Sequence, residues 1–398
     1  MIPTIVIRNK PAPYYQTHYS TPGDGQRQQV LDLQNLYTNL NQTKQQLSSK
    51  NISASELKKQ QKDILGDRKG FTDNNTTKSE RKKKKLIEKE NDRKADKIIK
   101  DYIEYENEIE LIKSQILEIK AKISIIEKHI DYCALFTASL PNVSIMDETS
   151  VWKSIRNKPG PYVVRAMASK KYIDYATETQ QDYIFLENGY FGNYKNLVNK
   201  KSKKQWHRIC VNEMQQESIL NVPADRWQQL VSADQRLQWP GWKKSGSKIL
   251  LVVPSSKPCQ YYNQDVHQWK IDTIAQIKQH TDRTIVIREK ASRNDRTQKR
   301  TIYDALDDDI FCMVTYQSIA AVESIAYGIP VFALAPSAAK QLSLNDLSKI
   351  ETPYYPDEEL VHKWCCSLAY GQFSLEEMLN GRAWNMVQEN QSREKINC

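Results

Sequence analysis

The chain has 398 residues, 39% of them hydrophobic and 27% charged, with a formal net charge of +10. That is room for two or three domains with sizeable cores, and no run of about eighteen apolar residues is present to cross a membrane. Seven scattered cysteines without a Cys-x-x-Cys pair read as reduced thiols of a cytoplasmic protein with no zinc site, and MIPTIVIRNKP does not read as a secretory signal.

Residues 7–15 read IRNKPAPYY and residues 155–163 read IRNKPGPYV, identical at seven of the first eight positions. The first copy follows TIVI, which reads as a strand, and Gly160 allows backbone shapes that Ala12 does not. Both copies border a long charged segment and mark it as an insertion. One reading makes both turns part of an acceptor cleft, with Arg8 and Arg156 facing phosphate and Lys158 beside them. The plainer reading is a duplicated scrap.

In the segment between, apolar or aromatic residues recur at Ile98, Tyr102, Tyr105, Ile109, Ile112, Ile116, Ile119, Ile123, Ile126 and Ile130. Steps alternating three and four are a coiled-coil seam. Val30, Leu33, Tyr37 and Leu40 begin a weaker stripe, and the polar LGDRKGFTDNNTTKSE between them reads as a turn. Two helices folded back on each other are expected; the alternative is one continuous helix that associates with another copy or molecule. Residues 78–100 hold eleven Lys or Arg, among them Lys82, Lys83, Lys84 and Lys85, against five Asp or Glu. Such a run is either a solvated helix face or an arm that grips phosphates by counterion release. With few interleaved aromatics, stacking on single-stranded bases is not indicated.

YCALFTASL and DYIFLENGYF read as buried strands, PYVVRAMASKKYIDYA as mixed, and the Trp-rich DRWQQLVSADQRLQWPGWKKSG as a linker or clamp. From 247 onward strands alternate with helices: KILLVVPSS, DVHQWKIDTIAQIKQH, RTIVIREK, TIYDAL, IFCMVTYQS, IAAVESIAYG and IPVFALAPS. That order implies a parallel sheet wrapped in helices, which binds ligands at the carboxyl ends of its strands. Ser255 and Ser256 follow one strand, Arg288 and Lys290 end the next, and Tyr316, Gln317 and Ser318 follow the third. Ser318 is expected to cap a helix beginning at Ile319 and to leave the N–H groups of Ala320 and Ala321 open to an anion. These are parts of a diphosphate site. No P-loop or G-x-G-x-x-G fingerprint accompanies them.

VTYQSIAAVESIAYGIPVFAL resembles the nucleotide-sugar half of GT-B-fold glycosyltransferases over roughly residues 247–340. DYIFLENGYFGN, WHRICVNEMQ, PADRW and WCCSLAYGQFSLEEMLNGRAW are similar to glycosyltransferase-like proteins of tailed bacteriophages, some of which glycosylate hydroxymethylated bases of their own DNA. The resemblance implies an α/β protein of two Rossmann-like domains: an acceptor domain at 1–26 and 132–242, a coiled-coil hairpin inserted at 27–131, and a donor domain at 243–398. It implies that the Ser318 turn holds the phosphates of a donor such as a UDP-sugar, that Glu323 contacts donor sugar or ribose, and that no further cofactor is needed. The acceptor domain supplies the base in inverting members. Glu187, at a strand end before a flexible turn, is the first candidate, followed by His207, Asp182 and Asp174. Asp307, Asp308 and Asp309 mimic a metal-binding Asp-x-Asp but precede a strand at the wrong edge, so no metal is assigned. Double-stranded DNA is the expected acceptor, in host cytoplasm. A cell-surface glycan transferase, a sugar-nucleotide epimerase and a non-catalytic coiled-coil scaffold on DNA are the alternatives.

Overall fold

The computed structural model describes residues 5–8, 22–66, 78–127, 136, 144–147, 161–165, 170–192, 206–289 and 302–396. The chain divides into two compact units, Gln28–Ile130 and Met1–Arg27 together with Asp131–Cys398.

The first unit is a pair of long helices, α1 (Pro22–Gly66) and α2 (Lys78–Glu127). Val30, Leu33, Leu40 and Ala54 are buried on α1, and Ala95, Ile109, Ile116 and Ile123 on α2. Half-buried Ile98, Tyr102, Tyr105, Ile112 and Ile119 fill the intervening seam positions, as a heptad stripe requires. Lys50 pairs with Glu108 and lies 4.5 Å from the Tyr105 ring centre. Lys58, one turn pair further on, lies 4.8 Å from the Tyr102 ring. Numbers rise on α1 as they fall on α2, so the helices run antiparallel as a hairpin. The expected turn at 67–77 lies outside the described residues.

Among the described residues the second unit holds two main sheets and a two-stranded one. In the first, β1 (Ile5–Arg8), β2 (Ser144–Asp147), β3 (Tyr162–Arg165) and β4 (Tyr183–Asn188) are parallel, with α3 (Lys170–Glu178) between β3 and β4. Next to β4 runs antiparallel β5 (Trp206–Val211). After β6 (Ile219–Leu220) and α4 (Asp225–Ala233) comes the second sheet, which begins with β7 (Lys248–Val252). It continues through α5 (Ser256–Tyr261), α6 (Val266–Lys278), β8 (Thr284–Arg288), α7 (Ile302–Leu306), β9 (Ile310–Thr315), α8 (Ala320–Ala326) and β10 (Val331–Ala333). All four of its strands are parallel. In both sheets the parallel strands stand second, first, third, fourth, so strand order reverses between the first and third. Central β9 is buried throughout, whereas edge strand β8 is partly exposed along its length.

Two expectations need correction. The Trp-rich stretch is no simple linker: α4 buries Arg226, Trp227 and Leu230, and Trp242 donates to the Pro356 carbonyl at 2.7 Å. Gly328 sits at φ +80°, and a Cβ there would come 2.1 Å from the Gly241 carbonyl oxygen, so only glycine fits. The second correction concerns the C-terminal segment assigned to the second sheet's domain. After α9 (Glu358–Tyr370), strand β11 (Gln372–Ser374) pairs antiparallel with β5 and completes the first sheet. Short α10 (Leu375–Leu379), α11 (Arg382–Ser392) and β12 (Lys395–Ile396), which pairs with β6, follow.

One buried cluster links Tyr190 and Phe191 beyond β4 through Trp227 and Trp364 to Leu250 and Val252 of β7. A polar staple accompanies it. Arg226, 6% exposed, donates to the carbonyls of Ala369 (3.0 Å) and Gln372 (2.6 Å) and forks onto the Glu377 carboxylate. Burial alone would push the Glu377 carboxyl up, but its bonds from Arg226 leave it below the usual value.

Candidate functional site

The carboxyl edge of the second sheet is tied together strand by strand. Val253 N–H donates to the Arg288 carbonyl at 2.9 Å, Thr315 Oγ1 to the Val252 carbonyl at 3.0 Å, and Leu334 N–H to the Thr315 carbonyl at 2.9 Å. Ser255 is the extended residue before α5, and Ser256 is its exposed first residue. Arg288 closes β8 and shares a field with Glu323 of α8. Burial lowers the Arg288 pKa while Glu323 and then Asp304 raise it. Burial pushes the Glu323 carboxyl up to about 7 against the pull of Arg288. Of the expected donor residues, Arg288 and Glu323 thus act on each other through their charges, at the edge where a parallel sheet takes ligands.

The Ser318 turn differs from expectation. The helix starts at Ala320 rather than Ile319. Ser318 Oγ accepts the Ala320 N–H at 3.2 Å, and the Ser318 carbonyl accepts the Ala321 N–H at 3.1 Å. The tight first turn spends locally the two donors that an anion would have used. Tyr316 packs edge-on against Tyr262 and Trp269 at 5.9 and 5.7 Å. Gln317, 6% exposed, donates Nε2 to the Tyr262 hydroxyl at 3.0 Å, and its buried Oε1 has no partner among the described residues. Lys290 lies outside the described residues.

On the first sheet the candidate bases do not converge. Glu187 lies at the carboxyl end of β4, where its Oε1 accepts the Asn188 N–H at 3.0 Å. Asp182 precedes the same strand at its amino end and accepts from Asn212 Nδ2 at 2.6 Å. A strand of this length separates them by roughly 17 Å. Asp174 pairs with Lys170 one turn away on α3. His207 is 1% exposed within β5, paired in register with Asn188 and Phe373. Of the repeat, only Ile7 and Arg8, which close β1, and Pro161, Tyr162 and Val163, which lead into and open β3, lie among the described residues. Parallel pairing of β1 with β3 sets those strand ends on opposite edges. Arg156 and Lys158 lie outside the described residues. Asp308 and Asp309 bond Lys248 and Ser247 at the amino edge, and Asp307 accepts from the Tyr327 hydroxyl. On α2, Lys82, Lys83 and Lys85 are exposed; Lys84 lies in the same helix.

The sequence reading missed Glu213, in CVNEMQQES after β5. Burial pushes its carboxyl up to about 7. The visible signal was a polar run between two strands, which alone does not single out one of its members.

Comparison with models of known families, with curated proteins and with solved structures gives no match to this chain.

Proposed function

We propose that the chain is a GT-B-like glycosyltransferase, moving a sugar from a nucleotide-sugar donor such as a UDP-sugar to a hydroxyl acceptor, with a hydroxymethylated base of double-stranded DNA as that acceptor. The observation that carries the reading is the placement of Arg288, at the end of β8, and Glu323, in the first turn of α8, at the carboxyl edge of a parallel sheet whose strand order reverses between β7 and β9. Ligands favour such a crevice. The guanidinium offsets charge that develops on the leaving diphosphate, a preorganised interaction that needs no movement at the moment of reaction. The shared strand order of the two sheets supports two Rossmann-like halves, one for donor and one for acceptor. DNA is favoured by the eleven basic residues at 78–100, seven of them exposed lysines on α2.

The test measures donor cleavage and sugar transfer with and without hydroxymethylated DNA. A transferase is stimulated by its acceptor, an epimerase ignores DNA, a scaffold consumes no donor, and a glycan transferase responds to glycan instead. Arg288→Ala should weaken donor binding by about 1.5–3 kcal/mol, as for a hydrogen bond to a charged group. Calorimetric titration that finds unchanged affinity would move the donor site elsewhere.

A further inference from the structure

The loop 212–218 joins β5 to β6, and its polar side chains are pinned one after another. Asn212, in the left-handed region at φ 60°, accepts the Tyr183 N–H at 2.9 Å. Gln215 and Gln216 are 4% and 8% exposed. Gln215 Oε1 accepts the Ala338 N–H just beyond β10 at 3.0 Å, and Gln216 Nε2 donates to Ser367 Oγ of α9 at 2.6 Å. Glu217 pairs with Lys340 at 2.7 Å. Among the described residues Glu213, unlike these, bonds only within its own loop. Its Oε2 accepts the Glu217 N–H at 3.2 Å, and among the described residues its Oε1 accepts nothing. The carboxylate is held by one oxygen and keeps the other.

A second under-used group comes from the other sheet. Gln317, just beyond the carboxyl end of β9, has one buried amide atom without a partner among the described residues. Rotating the amide by half a turn exchanges which atom is unspent and leaves one unspent still. The groups are linked: Gln317 bonds Tyr262, Tyr262 lies in the field of Glu217, and Lys340 lies in the fields of both Glu217 and Glu213. A buried polar atom left unpaired is unfavourable, so a ligand that satisfies it gains affinity. Glu187 likewise has one oxygen bonded to a backbone N–H, but it lies at the carboxyl end of β4, the opposite end from Tyr183, which interacts with Glu213.

Resting on the transferase reading, we propose that Glu213 Oε1 takes the proton of the acceptor hydroxyl, while the open amide atom of Gln317 holds the donor by a hydrogen bond. In the step, the acceptor oxygen forms its bond to the anomeric carbon as its proton passes to Glu213. The bond from that carbon to the diphosphate oxygen breaks, the nucleoside diphosphate leaves with the electron pair, and configuration inverts. Glu213 later returns the proton to water.

The surroundings suit the role. Burial raises the carboxyl to about 7; the Glu217 N–H opposes this, the Glu217 charge adds to it, and Lys395 and Lys340 pull it down. Tyr183 at the start of β4 and Cys210 in β5, both neutral with pKa values pushed up, complete the facing groups. A base titrating near neutral pH is matched to proton transfer there.

The experiment compares wild type, Glu213→Gln and Glu213→Asp in transfer from UDP-sugars to hydroxymethylated DNA, with donor affinity and melting temperature measured on the same preparations. Glu213→Gln should lose about 10²–10⁴ in turnover with donor affinity kept. Glu213→Asp should retain part of the rate. The acidic limb of the wild-type pH–rate profile, centred near 7, should vanish in Glu213→Gln. Active wild type with an equally active, folded Glu213→Gln overturns this assignment alone. A wild type that transfers no sugar overturns the transferase reading and this assignment with it.

Discussion

Along the hairpin the ion pairs Lys94–Glu90, Lys113–Glu110 and Lys122–Glu118 run on the helix surface, every partner at least half exposed. In the α/β unit Arg226 and Glu377 meet with side chains only 6% and 12% exposed, 151 residues apart in sequence. A surface pair within one helix contributes about 0.2–0.5 kcal/mol, and its charges remain open to a partner. A buried pair has given up its water and cannot lose one member cheaply. Charge on the hairpin is therefore available for recognition, while most buried charge in the α/β unit is already committed to holding elements together.

The largest effect should come from breaking the committed pair. Arg226→Ala leaves buried Glu377 with only the exposed Arg382 guanidinium, 3.9 Å away, and breaking such a buried pair costs about 3–5 kcal/mol. All eight tryptophans lie outside the hairpin sequence, so tryptophan fluorescence reports the α/β unit alone. Its denaturation midpoint should drop sharply in this variant; a midpoint near wild type would show that the network relaxes onto water.

Ile109→Ala attacks the hairpin instead. Ile109 is 3% exposed in the seam, and removing such a side chain costs roughly 2–5 kcal/mol, nearer the lower figure in a seam one layer thick. Far-ultraviolet circular dichroism, dominated by α1 and α2, should register the loss while the fluorescence midpoint stays. If both signals move together, the two units are energetically coupled and the contrast drawn above is too sharp.

What could be read in advance follows the same division. The hairpin was legible because its seam repeats every three or four residues, and each repeat restates the one before. The strands of the second sheet were legible because short apolar runs between turn residues leave few other structures open. Arg288 could be placed because it ends such a strand. The Arg226–Glu377 staple and the setting of Glu213 were hidden, since their partners come from elements far apart in the chain. The Ser318 turn misled for a different reason: whether a helix start leaves N–H groups free depends on the tightness of its first turn, and residue types do not reveal it.

A subtler effect concerns Glu323, whose carboxyl is raised to about 7 by burial. A raised carboxyl pKa favours the protonated folded state. Its stabilising share is fully present below the unfolded carboxylate value and is lost as pH rises through about 7. Protonation also frees the charge of Arg288 for a diphosphate, so donor affinity should rise as pH falls from 8 to 6. Glu323→Gln should flatten both dependences. A nucleotide-sugar, whose diphosphate keeps its charge over this range, is the probe for calorimetry. A donor-affinity profile as steep in the variant as in wild type would remove Glu323 from the site.

The smallest change in stability belongs to the exposed lysines. Replacing Lys82, Lys83 and Lys85 with Gln should alter hairpin stability by no more than about 0.5 kcal/mol, as is usual for surface positions away from caps and cores. Binding should respond far more than folding. Each phosphate contact on duplex DNA releases close to one counterion, so the slope of log affinity against log salt should flatten by about 0.9 for every contact removed. The measurement is a salt titration of DNA binding by wild type and variant, with circular dichroism confirming that both hairpins are intact. A flatter slope with an unchanged melting curve separates charge held for a partner from charge held for the fold. Identical slopes would reduce the run at 78–100 to a solvated helix face and leave the acceptor to be found through the α/β unit alone.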